Sequence, residues 1–259
     1  MRNKFVLALS SLLLLSGLTA QAHAQSGAGR AEFENCLNHF AHQTPPKLNP
    51  MLKYEARESF ALCFEEFATY NVQTGKATIF AAEMLNAKRL SQADEKRTDR
   101  FYEEARLPYR ARAELDAYRG SQMDRGHLAA AANMSTPNGM AQSFSLANMS
   151  PQTPELNRGL WNKQVESATR KYVKRIRQDV YVITGVHYSE GLGKARKLKG
   201  DVAVGTHWFK LVYTPASNRA WAFWANNDSD TIALERISYE QLVVRTQTEW
   251  LPGRNPPMQ

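Results

Sequence analysis

The stretch that decides the fold lies between residues 123 and 170. It runs Met-Asp-Arg-Gly-His from Met123, Ser-Leu-Ala-Asn-Met-Ser-Pro-Gln from Ser145 and Leu-Asn-Arg-Gly-Leu-Trp from Leu156, then reaches Glu166 and Arg170. A charged histidine turn and several carboxamides sit together here with almost no Val or Ile, an unusual makeup for a core segment. From Trp161 onward the pattern changes. Trp161, Val165, Ala168, Tyr172 and Ile176 recur at helical spacing, which predicts an amphipathic helix over residues 161–177.

Working outward, the β-branched run at residues 180–186 predicts a buried strand. Residues 206–213 and 220–226 bracket a turn at 215–219 and predict a hairpin, and residues 239–245 a short helix. Upstream, residues 64–72 and 76–81 flank Gln73-Thr74-Gly75 as an earlier hairpin. Residues 86–120 form a charged loop in which Lys88, Arg89, Lys96, Arg97, Arg100 and Arg106 cluster. Residues 27–41 predict a helix with Phe33, Cys36, Leu37 and Phe40 on one face and His39 and His42 exposed at its end. A Pro-rich loop at 44–50 stops it. This order of elements predicts an α+β fold with a mainly antiparallel sheet: a helical N-terminal arm at residues 25–59, one domain at 60–253 and a tail at 254–259.

The first residues read as an address rather than as structure. Arg2 and Lys4 precede an apolar run at 5–18, and Ala22-His23-Ala24 offers small residues at cleavage spacing, so a signal peptide over residues 1–24 is expected, cut after Ala24. The run is shorter than the ~20 residues that span a bilayer, so no membrane span is expected. Periplasmic or secreted localisation follows. Net charge is +8, and setting aside Arg2 and Lys4 leaves +6, a balance that favours anionic partners without choosing among nucleic acid, lipid and polysaccharide. The two cysteines, Cys36 and Cys63, lack His or Cys neighbours at ligand spacing. In an oxidising compartment such a pair predicts one disulfide stapling the arm to the domain.

Residue chemistry alone leaves the central stretch open. His127 can take a proton from water near neutral pH, Arg125 can hold a phosphate, and Gly126 lets the backbone turn between them. Asn157, just before the amphipathic helix, is read as its N-cap in preference to a metal ligand, although a carboxamide oxygen can also ligate Mg²⁺. Glu166 and Arg170, four residues apart, fit a surface ion pair as well as a metal-and-phosphate pair. His187 and His207 lack zinc-ligand partners, and the aromatics Trp208, Phe209, Tyr213, Trp221, Phe223 and Trp224 fit a sheet core better than a stacking surface.

Several ordered motifs then carry a resemblance. Residues 124–134, Asp-Arg-Gly-His-Leu-Ala-Ala-Ala-Ala-Asn-Met, residues 141–149, Ala-Gln-Ser-Phe-Ser-Leu-Ala-Asn-Met, Pro151-Gln152, and Leu-Asn-Arg-Gly-Leu-Trp at 156–161 resemble the DNA/RNA non-specific endonuclease family. The likeness extends over about residues 62–253. It implies a ββα-metal finger and hydrolysis of DNA and RNA with Mg²⁺, for which Mn²⁺ can substitute, with homodimers occurring in the family. By position, the resemblance makes His127 the general base, Asn157 the metal ligand, Arg125 the stabiliser of transition-state charge and Glu166 the partner of a metal-bound water. It makes Asn148 a residue that orients the site and Arg170 a phosphate contact, and it matches the family's upstream arginine to Arg97 or Arg100. Two departures stand out. Asn157 and Glu166 are one residue further apart than in the family pattern, with Val165 where the glutamate belongs, and Ala130 and Asn133 replace a common Pro and Asp. The alternative is a nucleic-acid binding or uptake protein on a degenerate nuclease fold.

Overall fold

The computed structural model describes residues 30–257 and Met1; the expected signal peptide lies outside the described residues. Among the described residues nine strands form, β1 (Ser59–Cys63), β2 (Ala68–Val72), β3 (Ala77–Leu85), β4 (Asp124–His127), β5 (Met149–Gln152), β6 (Val180–His187), β7 (His207–Thr214), β8 (Arg219–Asn226) and β9 (Leu234–Ile237). Seven of them make one antiparallel sheet in the order β1-β2-β3-β6-β7-β8-β9, and β4 pairs with β5 separately. The α-helices are α1 (Pro50–Glu55), α2 (Ala87–Ser91), α3 (Pro137–Ser143), α4 (Ser167–Ile176) and α5 (Tyr239–Thr246). Among the described residues no helix is long and apolar enough to cross a membrane.

Alternation along β7 shows how the layers form, because successive side chains of a strand point to opposite faces. On one face Trp208 meets Trp161 edge-on at 5.5 Å, Lys210 lies 5.8 Å from the Trp161 ring, and Val212 packs with Tyr172 and Val173 of α4. On the other, Phe209 meets Trp250 at 4.7 Å and Tyr213 lies 6.1 Å from His42. The aromatic hairpin is therefore the middle of a three-layer core.

The N-terminal segment belongs to that core. Phe33 and Phe40, at 0 % and 2 % exposure, pack against Phe80, and Cys36 is bonded to Cys63 as expected. The helix expected over residues 27–41 is instead a 3₁₀ segment, Arg30–His39, broken at Phe33 and Cys36, whose backbone leaves helical geometry. Burying Phe33, Cys36 and Phe40 against the sheet takes precedence over regular winding. His39, expected at the surface, is 4 % exposed with Nε2 3.4 Å from the Phe64 carbonyl, and burial lowers its pKa to about 4; His42 is exposed as expected.

Candidate active site

Strands β4 and β5 and the helix that follows them form a ββα unit against the sheet. Gly126, in β4, has no positive φ, so the expected turn is not its purpose. A Cβ there would stand 2.4 Å from Gln152 Oε1 and 2.9 Å from Trp208 Cη2, so glycine is what lets β4 close onto its neighbours. Next to it His127 is 9 % exposed, its Nε2 is buried without a hydrogen-bond partner, and its ring is gripped by Phe144 at 5.0 Å and Phe101 at 5.8 Å.

The same two rings hold the cations. The Arg125 guanidinium lies 4.2 Å from the Phe101 centroid and that of Arg97 5.0 Å from Phe144. Backbone bonds between Tyr102 and the segment Phe144–Leu146 hold this loop in place. Burial first, then the Arg97 and Arg125 charges, lower the His127 pKa to about 3, so the imidazole is neutral throughout the neutral range. Arg97, Arg125, His127, Asn157 and Glu166 all line one open cavity of about 560 Å³, together with Phe101, Asp124, Arg158 and Asn162.

Asn157 is not an N-cap. The helix starts at Glu155, six residues before the expected start, so Asn157 falls within its first turn. Its Nδ2 donates to Asp124 Oδ2 at 2.9 Å, which commits the nitrogen and leaves Oδ1 as the oxygen available to a cation. Asp124 also accepts from Arg158 Nε at 2.8 Å and Nη2 at 2.5 Å. Burial acts to raise the Asp124 carboxyl, but these hydrogen bonds and the Arg158 and Arg125 charges outweigh it and hold it below the usual carboxylate range. Sequence reasoning assigned Asp124 and Arg158 no role; adjacency to Arg125 and Asn157 was the only signal.

The extra residue between Asn157 and Glu166 is absorbed by winding. Glu155–Glu166 is a π-helix. At about 3.6 residues per turn nine residues make two and a half turns and would put Glu166 opposite Asn157. With i→i+5 bonds each turn holds roughly one residue more, nine residues come to about two turns, and Glu166 returns to the cavity side. Val165, at the family's glutamate position, is fully buried.

Behind Glu166, Arg170 lies 3.6 Å from its Oε2 and donates to Asn133 Oδ1 at 3.4 Å, while Asn133 Nδ2 donates to the buried Glu83 at 3.0 Å. The Glu166–Arg170 pair is largely buried rather than on the surface, with side chains 13 % and 21 % exposed. Asn133 serves both neighbours because a carboxamide has a donor and an acceptor; an aspartate would face Glu83 with no proton to give.

Three candidates lie outside the lining. Asn148 is fully buried, exchanging hydrogen bonds with the backbone of Ala129 and donating to the Ser143 carbonyl, so it braces the turn after His127 without lining the cavity. Arg100 is exposed and lines no part of the cavity, whereas Arg97 lines it. Arg170 stands behind Glu166, outside the lining.

The chain was compared with known proteins. The family model described as DNA/RNA non-specific endonuclease matches residues 49–251. Human mitochondrial endonuclease G is 36 % identical over 179 residues, covering 64 % of this chain and 56 % of that protein. The bovine enzyme is 32 % identical over 214 residues, covering 78 % and 64 %. The chain thus spans between half and two thirds of the length of these relatives. A solved complex of EndoG with EndoGI superimposes with a TM-score of 0.60 at 23 % identity, covering 76 % of this chain and 88 % of that one, a likeness of fold. With the family model matched across the sheet, the finger and its helix, the chain belongs to the DNA/RNA non-specific endonuclease family.

Proposed function

We propose that the protein is an exported endonuclease that hydrolyses phosphodiester bonds of DNA and RNA with little sequence preference, using Mg²⁺. The observation that carries this is one cavity bringing together a neutral buried histidine, two arginines held on aromatic faces, and two oxygen donors on a helix. The donors fit the metal: a carboxamide oxygen and a carboxylate are hard ligands, and Mg²⁺ needs few of them because it keeps several waters.

The roles follow from these atoms. Asn157 Oδ1 would hold the cation, and Glu166 would accept hydrogen bonds from its waters. When bound, Mg²⁺ supplies Lewis acidity at the phosphate. Arg125 and Arg97 would bind the phosphate oxygens and stabilise the negative charge that grows during attack. The neutral His127 imidazole would take the proton from the attacking water. Burial is the main cause of its low basicity, and the lesser effect of the Arg97 and Arg125 charges would be offset by the substrate anion. Contacts of Arg97 and Arg125 to backbone phosphate would account for binding with little sequence preference. The disulfide supports export to an oxidising compartment.

The test is incubation of the purified chain with plasmid DNA and with RNA, in Mg²⁺ and in EDTA, beside His127→Ala. The expected result is Mg²⁺-dependent degradation that falls by at least ~10²-fold in the variant. Binding without cleavage under every metal condition would instead establish a nucleic-acid binding protein on a nuclease fold.

A further inference from the structure

Helix α4 carries a basic surface away from the cleft. From Ser167 to Arg177 the chain has Arg170, Lys171, Lys174, Arg175 and Arg177 and no Asp or Glu. Arg170 is turned toward Glu166, whereas Lys171, Lys174, Arg175 and Arg177 are exposed. Among the described residues neither Lys171 nor Lys174 makes an ion pair. Favourable interaction with the helix dipole accounts for cations in the last turn, Lys174 and Arg175, but not for Lys171 or for the missing acids.

The positions form a path. Residues step by about 100° around an α-helix, so from Glu166, at the cavity, Lys174 lies about 80° around the axis, Lys171 about 140°, Arg175 about 180° and Ala168 about 200°. The cations therefore span the exposed arc between the cleft and the far flank. On that flank is a slot of about 390 Å³ lined by Ala168, Tyr172 and Arg175 of α4 and by Trp221, Phe223 and Arg236 of β8 and β9. Arg236 lies 4.8 Å from the Trp221 ring centroid and Arg175 5.6 Å from that of Tyr172, so the slot has guanidinium planes resting on aromatic rings. No carboxylate lines it. Such planes are surfaces on which unpaired bases stack, independent of sequence.

We propose that the outer face of α4 is a second nucleic-acid contact: a single strand leaving the cleft lays its phosphates across Lys174 and Lys171 and stacks a base in the slot between Arg175 and Arg236. This rests on the nuclease reading of the cleft, and it assigns that site a directional exit for long substrates. The slot lies on the side of the helix opposite Glu166, so a strand must run past the cavity to reach it.

The experiment uses the full chain and two variants, the double Lys171→Ala/Lys174→Ala and Ala168→Glu, which sets a carboxylate in the slot at an exposed helical position. Binding of a labelled single strand of about 20 nucleotides, longer than the ~4–16 that one groove holds, is followed by anisotropy in EDTA across a salt series. Dinucleotide hydrolysis in Mg²⁺ is measured beside it. The expected result is at least ~5-fold weaker binding in Ala168→Glu and a salt slope lower by ~1.4 in the double variant, from two contacts at ~0.7 each. Dinucleotide hydrolysis keeps its rate in both. Unchanged affinity and slope in EDTA overturn the second contact, and so does equal loss on dinucleotide and long strand. Absence of dinucleotide hydrolysis in the parent protein speaks against the nuclease reading alone, since the EDTA binding arm decides the α4 contact by itself.

Discussion

Replacing Asp124 by alanine should weaken divalent-cation binding about ten- to a hundredfold, whereas removing its partner Arg158 should change it little. Asp124 is 15 % exposed at its side chain and accepts the Asn157 Nδ2 hydrogen bond at 2.9 Å, so it decides which end of the carboxamide meets the cavity. A hydrogen bond to a charged group contributes about 1.5–3 kcal/mol. If that energy is what holds the amide in its ligating orientation, its loss amounts to one to two factors of ten at ~1.4 kcal/mol each. Arg158 is different. Its side chain is 73 % exposed, and solvent screens an ion pair so placed, so Arg158→Ala should change affinity by no more than about fivefold. Asp124→Asn keeps one acceptor and should fall between. The assay is Mn²⁺ titration of the full chain without nucleic acid, followed by electron paramagnetic resonance, with thermal midpoints confirming that each variant folds. A parent-like affinity in Asp124→Ala would refute the reasoning. Equal losses in Asp124→Ala and Arg158→Ala would show that the ion pair, not the amide orientation, matters.

Moving the glutamate back to its family position, Val165→Glu with Glu166→Val, should abolish activity and lower the melting temperature, because position 165 is fully buried and an unpaired carboxylate there costs several kcal/mol; a folded, active double variant would argue against the π-wound register. Breaking the disulfide with Cys36→Ala/Cys63→Ala should cost about 3–4 kcal/mol by the loop-entropy relation for a separation of 27 residues, read by urea denaturation, and a loss under ~1 kcal/mol would count against it. His39 predicts a pH effect on stability. Its folded pKa, about 4, lies below the unfolded value near 6.5, so its contribution is complete above pH 6.5 and is lost as pH falls toward 4, by roughly 3 kcal/mol in all. The stability gap between the parent and His39→Gln should narrow across that window, and a gap independent of pH would be the contrary result.

Local pattern determined much of this protein. Strand alternation and turn residues set the two hairpins, and the helical period placed Trp161, Val165 and Tyr172 on a buried face, because both depend on neighbours a few residues apart, though Ala168 of the same series is exposed. The ordered motifs named the family and marked His127, Arg125 and Asn157, which the cavity does bring together. What the sequence could not supply were contacts made by residues far apart along the chain. Phe101 and Phe144 grip a histidine and two arginines from separate segments, and His39 is buried by a distant sheet. Asn148 and Asn157 are the same residue type in neighbouring motifs, yet one braces a turn and the other faces the cavity, because backbone carbonyls surround the first and Asp124 turns the second. The winding between Asn157 and Glu166 shows the same division. Sequence revealed one residue too many; only packing of Trp161 and Val165 against the core, with Glu166 left facing the cavity, decided that the helix would absorb it as a π-turn instead of turning the glutamate away.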